Sequence, residues 1–228
     1  MSLATLRSAL FAVCAASLVA VSPAAIAQSE QQKLVNEATT TFNNFVRDPN
    51  MTWFQQNAGR AKAFLIAPQV AKAGFIFGGS GGRAVLVVRN PTTGKWVGPA
   101  FYVLATASVG FQAGISVSEV ITMVMTEKGL NSLLSTSVKL GGDASIAAGP
   151  VGAGAQGEVI TDMVSFARAK GVFGGLNLDG TAVTISDEWN QAYFKKKVLP
   201  PDIVITMSAK NAAAAPLLNA VAKGAGGK

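Results

Sequence analysis

The residues that could do chemistry are few in this chain, and their spacing is informative. Gly152-Ala153-Gly154-Ala155-Gln156-Gly157 matches G-x-G-x-x-G, and Asp179 lies 22 residues beyond the last glycine, the arrangement of a dinucleotide site. That chemistry needs a strand before the glycines and a helix after them; here they fall in an alternating, strand-like pattern with no βαβ succession around it. Gly78-Gly79-Ser80-Gly81-Gly82-Arg83 lacks the Gly-Lys-Ser/Thr of a P-loop. Its backbone N–H groups could cup a phosphate beside Arg83, or the run could be a plain glycine-rich bulge. The sequence contains no histidine, which removes imidazole bases, Ser-His and Cys-His pairs and imidazole metal ligands. No serine stands three residues before a lysine, and Glu119, Glu127, Asp143, Glu158, Asp162 and Asp179 are scattered singly. Asp143, among small residues, reads as a structural hydrogen-bond acceptor. The expectation is a non-enzymatic protein with no cofactor, no metal, no nucleotide and no nucleic acid to bind.

The start of the chain bears on where it folds. Arg7, an apolar stretch from Ser8 to Val21 and the small-residue run Ala25-Ile26-Ala27 read as a secretory signal peptide over residues 1–27. Cleavage there would remove Cys14, the single cysteine, and leave a chain able to form neither disulfides nor thiolate sites. The expected location is exported: periplasmic or extracellular, or peripheral to a membrane.

With 228 residues, half of them hydrophobic and only 14% charged, the rest can bury a core of its own. The net charge of +7 is unevenly spread. From Lys195 onward six lysines face Asp202 alone, whereas residues 28–194 are nearly balanced. That last stretch also holds Pro200-Pro201, an alanine run at 212–215, Pro216 and three glycines, a composition poor in core formers. It reads as a basic, partly disordered tail over 195–228, either a solvated appendage or a weak tether to an anionic bilayer. Residues 28–194 are then the folded domain.

The elements that would position any site follow from periodicity. Leu34, Val35, Ala38, Phe42, Phe45 and Val46 recur at helical spacing over 33–47, with Pro49 just beyond. Such an amphipathic helix lies either on a sheet or on a membrane surface. A shorter helical piece follows around Trp53 to Lys62. From residue 64 the period becomes two. Every odd position from Phe101 to Val117 is apolar, a run of roughly 55 Å at about 3.3 Å per residue, so Gly110 and Gly114 should mark bends. Val138 to Ala148 and Leu176 to Asp179 alternate as well, and Val85 to Val88 is apolar on both faces. Asn90-Pro91-Thr92-Thr93-Gly94 and Lys170-Gly171 read as turns. Thr126 can cap a helix over 127–135, and another helix fits Asp187 to Phe194. The expected fold class is α+β: a strongly bent antiparallel sheet or partial β-barrel with an N-terminal amphipathic helix and short additional helices.

A succession of segments then carries a resemblance. Ala61-Lys62-Ala63, Ala71-Lys72-Ala73-Gly74-Phe75-Ile76-Phe77 running into Gly78 to Arg83, Gly98-Pro99-Ala100-Phe101-Tyr102, and Ser108 to Gly114 belong to it. So do Met125 to Gly129, Gly141-Gly142-Asp143-Ala144-Ser145, Ala148 to Gly152, and Ser165 to Gly175. Together they resemble a SYLF domain over about residues 31–194. The resemblance implies lipid binding, because SYLF domains of eukaryotes bind phosphoinositides through an N-terminal amphipathic helix and basic surface residues, and some relatives also bind actin. Carried onto this chain it implies a lipid-binding set of Leu34, Phe42 and Phe45 on the helix, with Arg60, Lys62, Lys72 and Arg83 on the surface. An exported member meets neither cytosolic phosphoinositides nor actin. The expected partner is therefore an anionic phospholipid or membrane surface of the envelope, and the alternative is an envelope protein bound through the sheet.

Overall fold

The computed structural model describes residues 29–74, 77–109, 114–169, 172–175 and 178–226. The signal-peptide reading, Cys14, the bend at Gly110 and the turn at Lys170-Gly171 lie outside the described residues.

The first helix, α1, spans Glu30–Arg47, and Ser29 opens it by accepting the Gln32 amide at 3.2 Å. A hydroxyl at that position satisfies one of the amides that a helix start leaves unpaired. Helix α2 (Thr52–Asn57) and a 3₁₀ turn (Ala58–Arg60) then lead into the sheet.

Strand β1 (Ala63–Gly74) pairs antiparallel with β2 (Phe77–Arg89), and β3 (Trp96–Val109) lies beyond β2. Strand β4 (Gly114–Val124) pairs with the other side of β1. The alternating run from Phe101 to Val117 is therefore not one bent strand. It is two antiparallel strands that flank the β1–β2 hairpin, because a chain reversal that keeps residue parity leaves the period unbroken. Short β5 (Ser137–Lys139), β6 (Ile146–Ala148), β7 (Met163–Ala169), β8 (Val172–Gly175) and β9 (Ala182–Ile185) complete a curled sheet in the order β5-β9-β3-β2-β1-β4-β7-β6, with β8 on β7. All pairs are antiparallel except β6 with β7. The fold class is α+β, a curled half-barrel with an N-terminal helix and several short ones.

Helices α3 (Glu127–Leu134), α4 (Asp187–Phe194), α5 (Pro200–Val204) and α6 (Ala215–Gly224) close the faces. Thr126 caps α3 by accepting the Gly129 amide at 3.0 Å. On one face Phe64, Phe101 and Phe166 meet the rings of Phe42, Tyr193 and Phe54, with centroids 5.0 to 5.5 Å apart and edge-on geometry. The opposite face buries Tyr102, whose hydroxyl donates to the Leu133 carbonyl of α3 at 2.7 Å. Beyond Val70 the covering ends, and Ala71, Lys72, Ala73, Ala105, Ala107 and Val117 stand exposed on the far halves of the long strands.

Three expectations need correction. Residues 195–226 are not an appendage: α5 packs on β3, α6 packs across α1, and Ile203, Val204, Ala214, Leu217 and Val221 are buried. Small residues permit this, since at Gly224 an added Cβ would meet the Phe42 ring at 2.7 Å. The stretch from Val138 to Ala148 is not one strand, because Gly141, at φ +83, turns the chain between β5 and β6. Asp143 serves that turn by accepting the Lys139 amide at 2.7 Å. Finally, the glycines from Gly152 to Gly157 lie in a loop, not a strand, with Met51 bridged to Gly152.

Candidate functional site

Arg60 closes the 3₁₀ turn and Lys62 stands just ahead of β1, so two cations are delivered to one end of the sheet by a short stretch of chain. Register then adds a third. Ala63 lies opposite Val88, and the Arg89 amide donates to the Lys62 carbonyl at 2.8 Å. Arg60, Lys62 and Arg89 line one cavity of about 310 Å³ together with Asn90, Pro91 and Glu127.

Each wall is held by identifiable bonds. Arg60 Nη1 donates to Asn57 Oδ1 at 3.0 Å, and Arg89 donates through Nη1 to the Gly59 carbonyl and through Nε to the Gly94 carbonyl, both at 3.3 Å. Lys62 Nζ pairs with Glu127 Oε1 at 2.7 Å, in an exposed setting where such a pair is worth little and is readily exchanged. Buried Asn90 shapes the turn. Its Oδ1 accepts from the amides of Thr92 and Thr93, and its Nδ2 donates to the carbonyls of Val204 and Ile205 at the end of α5. Three cations against one carboxylate, with guanidinium N–H groups to spare beyond those already bonded, suit a phosphate or carboxylate ligand.

Arg60 also borders a second cavity of about 480 Å³ lined by Trp53, Lys128, Ser145, Glu158 and Asp162. Asp162 organises it. Its Oδ1 accepts from the Thr126 hydroxyl at 2.6 Å, its Oδ2 accepts from the Ser145 amide and hydroxyl at 3.0 and 2.8 Å, and Lys128 Nζ lies 3.3 Å away. The Thr126 bond, followed by the Ser145 bonds and Lys128, holds this carboxyl at about 2 against the opposing effect of burial. Among the described residues no group of three acidic, histidine or cysteine side chains could hold a metal ion, and no helix is long and apolar enough to cross a membrane.

The anticipated lipid-binding set is therefore divided. Arg60 and Lys62 meet at the basic end. Arg83 is exposed on β2 and stacks over the Trp189 ring at 4.0 Å. Lys72 pairs in register with Ser80, three residues from Arg83 on a regular strand, which sets it on the opposite face. Leu34, Phe42 and Phe45 are buried against the sheet, so the helix's apolar face is turned inward and presents nothing to a bilayer in this conformation. Arg89 and Lys128 were not singled out by sequence reasoning. Arg89 reaches Lys62 only through strand register, and Lys128 reaches Asp162 only through the fold.

Comparison with known proteins adds an independent line. Residues 105–224 match the Ysc84 family, described as Las17-binding protein actin regulator. The chain is 29% identical over 142 residues to Protein YSC84 of Saccharomyces cerevisiae, covering 59% of this chain and 30% of that protein. It is 28% identical over 150 residues to human SH3 domain-containing YSC84-like protein 1, covering 64% of this chain and 43% of that protein. The chain thus spans less than half the length of these curated relatives. No solved structure matches it. The family match takes in α5 and α6, in keeping with their packing onto the domain, and extends over more than half of the sequence. By that match the chain belongs to the Ysc84, or SYLF, family, whose members are generally non-catalytic binding modules associated with lipid binding.

Proposed function

We propose that this protein is a non-enzymatic lipid-binding module of the cell envelope that meets anionic phospholipid head groups at the basic end of its sheet. The observation that carries the reading is the cavity shared by Arg60, Lys62 and Arg89. A head-group phosphate there takes paired donation from the guanidinium groups and draws Lys62 from its exposed bond to Glu127. Each basic side chain held near an anionic leaflet contributes about 1 kcal/mol, so a cluster of three gives reversible, salt-sensitive attachment. Placement in the envelope rests on Arg7, the apolar run Ser8 to Val21 and Ala25-Ile26-Ala27, read as an export signal.

Flotation with anionic and neutral vesicles tests it. The protein should float with the anionic vesicles at low salt and fall away as salt rises, and Arg60→Glu with Arg89→Glu should abolish the preference. Equal flotation with both vesicle types would remove the reading. A second reading, an envelope protein bound through the sheet, is favoured by the uncovered far halves of β1 to β4, where small side chains leave backbone close to the surface.

A further inference from the structure

The residues expected to be a tail build a cleft instead. The start of β3, α5, the segment that follows it and the start of α6 enclose about 390 Å³, within the roughly 300–1,000 Å³ typical of small-molecule sites. Val97, Ile203, Met207, Ala209, Ala215 and Leu218 make its walls apolar. Met207 is a notable choice. It adopts φ 53, the left-handed state in which a helix often stops and which glycine takes at least cost. A methionine there adds a flexible, polarizable apolar side chain of the kind that adapts to an irregular guest.

The cleft is cationic at its edge. Lys210 lines it and forms no ion pair among the described residues. Lys196 Nζ donates to the Ser208 carbonyl at 2.8 Å, which brings a second ammonium to the same segment. The nearby Asp202 carboxylate is engaged by the Leu199 amide at 3.0 Å. Apolar walls edged by two ammonium groups against one carboxylate complement a molecule that is greasy along its length and negative at one end. The Asn90 turn stands between this cleft and the basic cavity, since Asn90 bonds the end of α5 and also lines that cavity.

We propose that the cleft holds one acyl chain of an anionic phospholipid, with Lys210 at its phosphate. This deepens the lipid reading above and rests on it, but it concerns a different set of residues. The competing occupant is the chain's own apolar stretch, residues 8–21, because Gln32 Nε2 at the start of α1 donates to the Ala213 carbonyl beside the cleft at 3.1 Å.

The test uses the full chain and oleoyl lysophosphatidic acid, a single-chain anionic lipid, kept below its micelle-forming concentration. Native mass spectrometry should show one lipid bound per protein. Ala215→Trp, which fills the cleft from an exposed position, and Lys210→Glu should each weaken binding by about tenfold or more. The Arg60→Glu, Arg89→Glu pair should lose vesicle flotation, yet the share of lysolipid binding that Ala215→Trp removes should persist in it. If vesicles fail to bind but the lysolipid binds and both cleft variants lose it, the head-group reading falls and the cleft stands. Lysolipid binding equal in wild type, Ala215→Trp and Lys210→Glu would overturn the proposal. So would no binding at all, including the case where hydrogen exchange finds residues 8–21 protected together with 207–218.

Discussion

The Thr41 hydroxyl of α1 donates at 2.9 Å to a carboxylate oxygen of Glu119 on β4. Asn44 donates to the same oxygen at 3.1 Å, and Arg168 of β7 grips the other oxygen through both Nε and Nη2. A helix otherwise held to the sheet by apolar contact is thereby pinned at one polar point, with a half-buried ion pair beneath it. Replacing Glu119 by Ala takes an acceptor from three donors at once and should cost about 2 kcal/mol of folding stability. Thr41→Val should cost about 1 kcal/mol. Urea unfolding of both variants measures this, and a Glu119→Ala midpoint equal to wild type would mean the pin contributes nothing.

Acid sensitivity should trace to Asp162. Its folded carboxyl sits at about 2, below the roughly 3.9 of an unfolded aspartate, so the ionised form is favoured by folding. That contribution is fully present above about pH 4 and is lost as pH falls toward about 2. Asp162→Asn should lower stability at neutral pH and flatten the dependence across that window. An unchanged acid limb in thermal melts taken from pH 5 down to pH 2 would contradict the assignment.

Gly149 is defined by what lies over it. A Cβ there would come within 2.1 Å of the Phe166 ring, which is buried and packed on Phe54, so neither partner can yield cheaply. Gly149→Ala should destabilise by about 1–3 kcal/mol. Combining it with Phe166→Leu should recover part of the loss, and additive losses in the double variant would show that the two positions do not compete for space.

The C-terminal helix should carry real stability. Leu217 of α6 is fully buried, and Leu217→Ala should cost about 2–5 kcal/mol. Calorimetry should show a single lowered transition; an unchanged one would mean that residues 195–226 behave as the appendage their composition suggests.

How far the sequence could be read depended on what periodicity encodes. Helix α1 was expected over 33–47 and spans Glu30–Arg47, with Thr126 capping α3 as expected, because stripes and caps are local. The length of the run and its glycines mark an interruption between β3 and β4, but not that the second strand runs back antiparallel, since alternating residues look the same before and after a reversal. The apolar stripe of Leu34, Phe42 and Phe45 marks a face that seeks grease, and a sheet satisfies that as well as a bilayer. Composition misjudged the final stretch. Ala214, Gly224 and Ala225 are weakly hydrophobic one by one, yet their small size lets α6 approach α1 closely enough to exclude water. Of the basic site, Arg60 and Lys62 were readable as neighbours in sequence. Arg89 joins them by pairing register, which a single chain read residue by residue does not disclose.

Because α6 closes over α1, two segments far apart in the sequence shelter each other. Phe42 and Val46 pack against Gly224, so the first helix stays partly uncovered until α6 has been made and docked, and the domain cannot mature strictly from its N-terminal side.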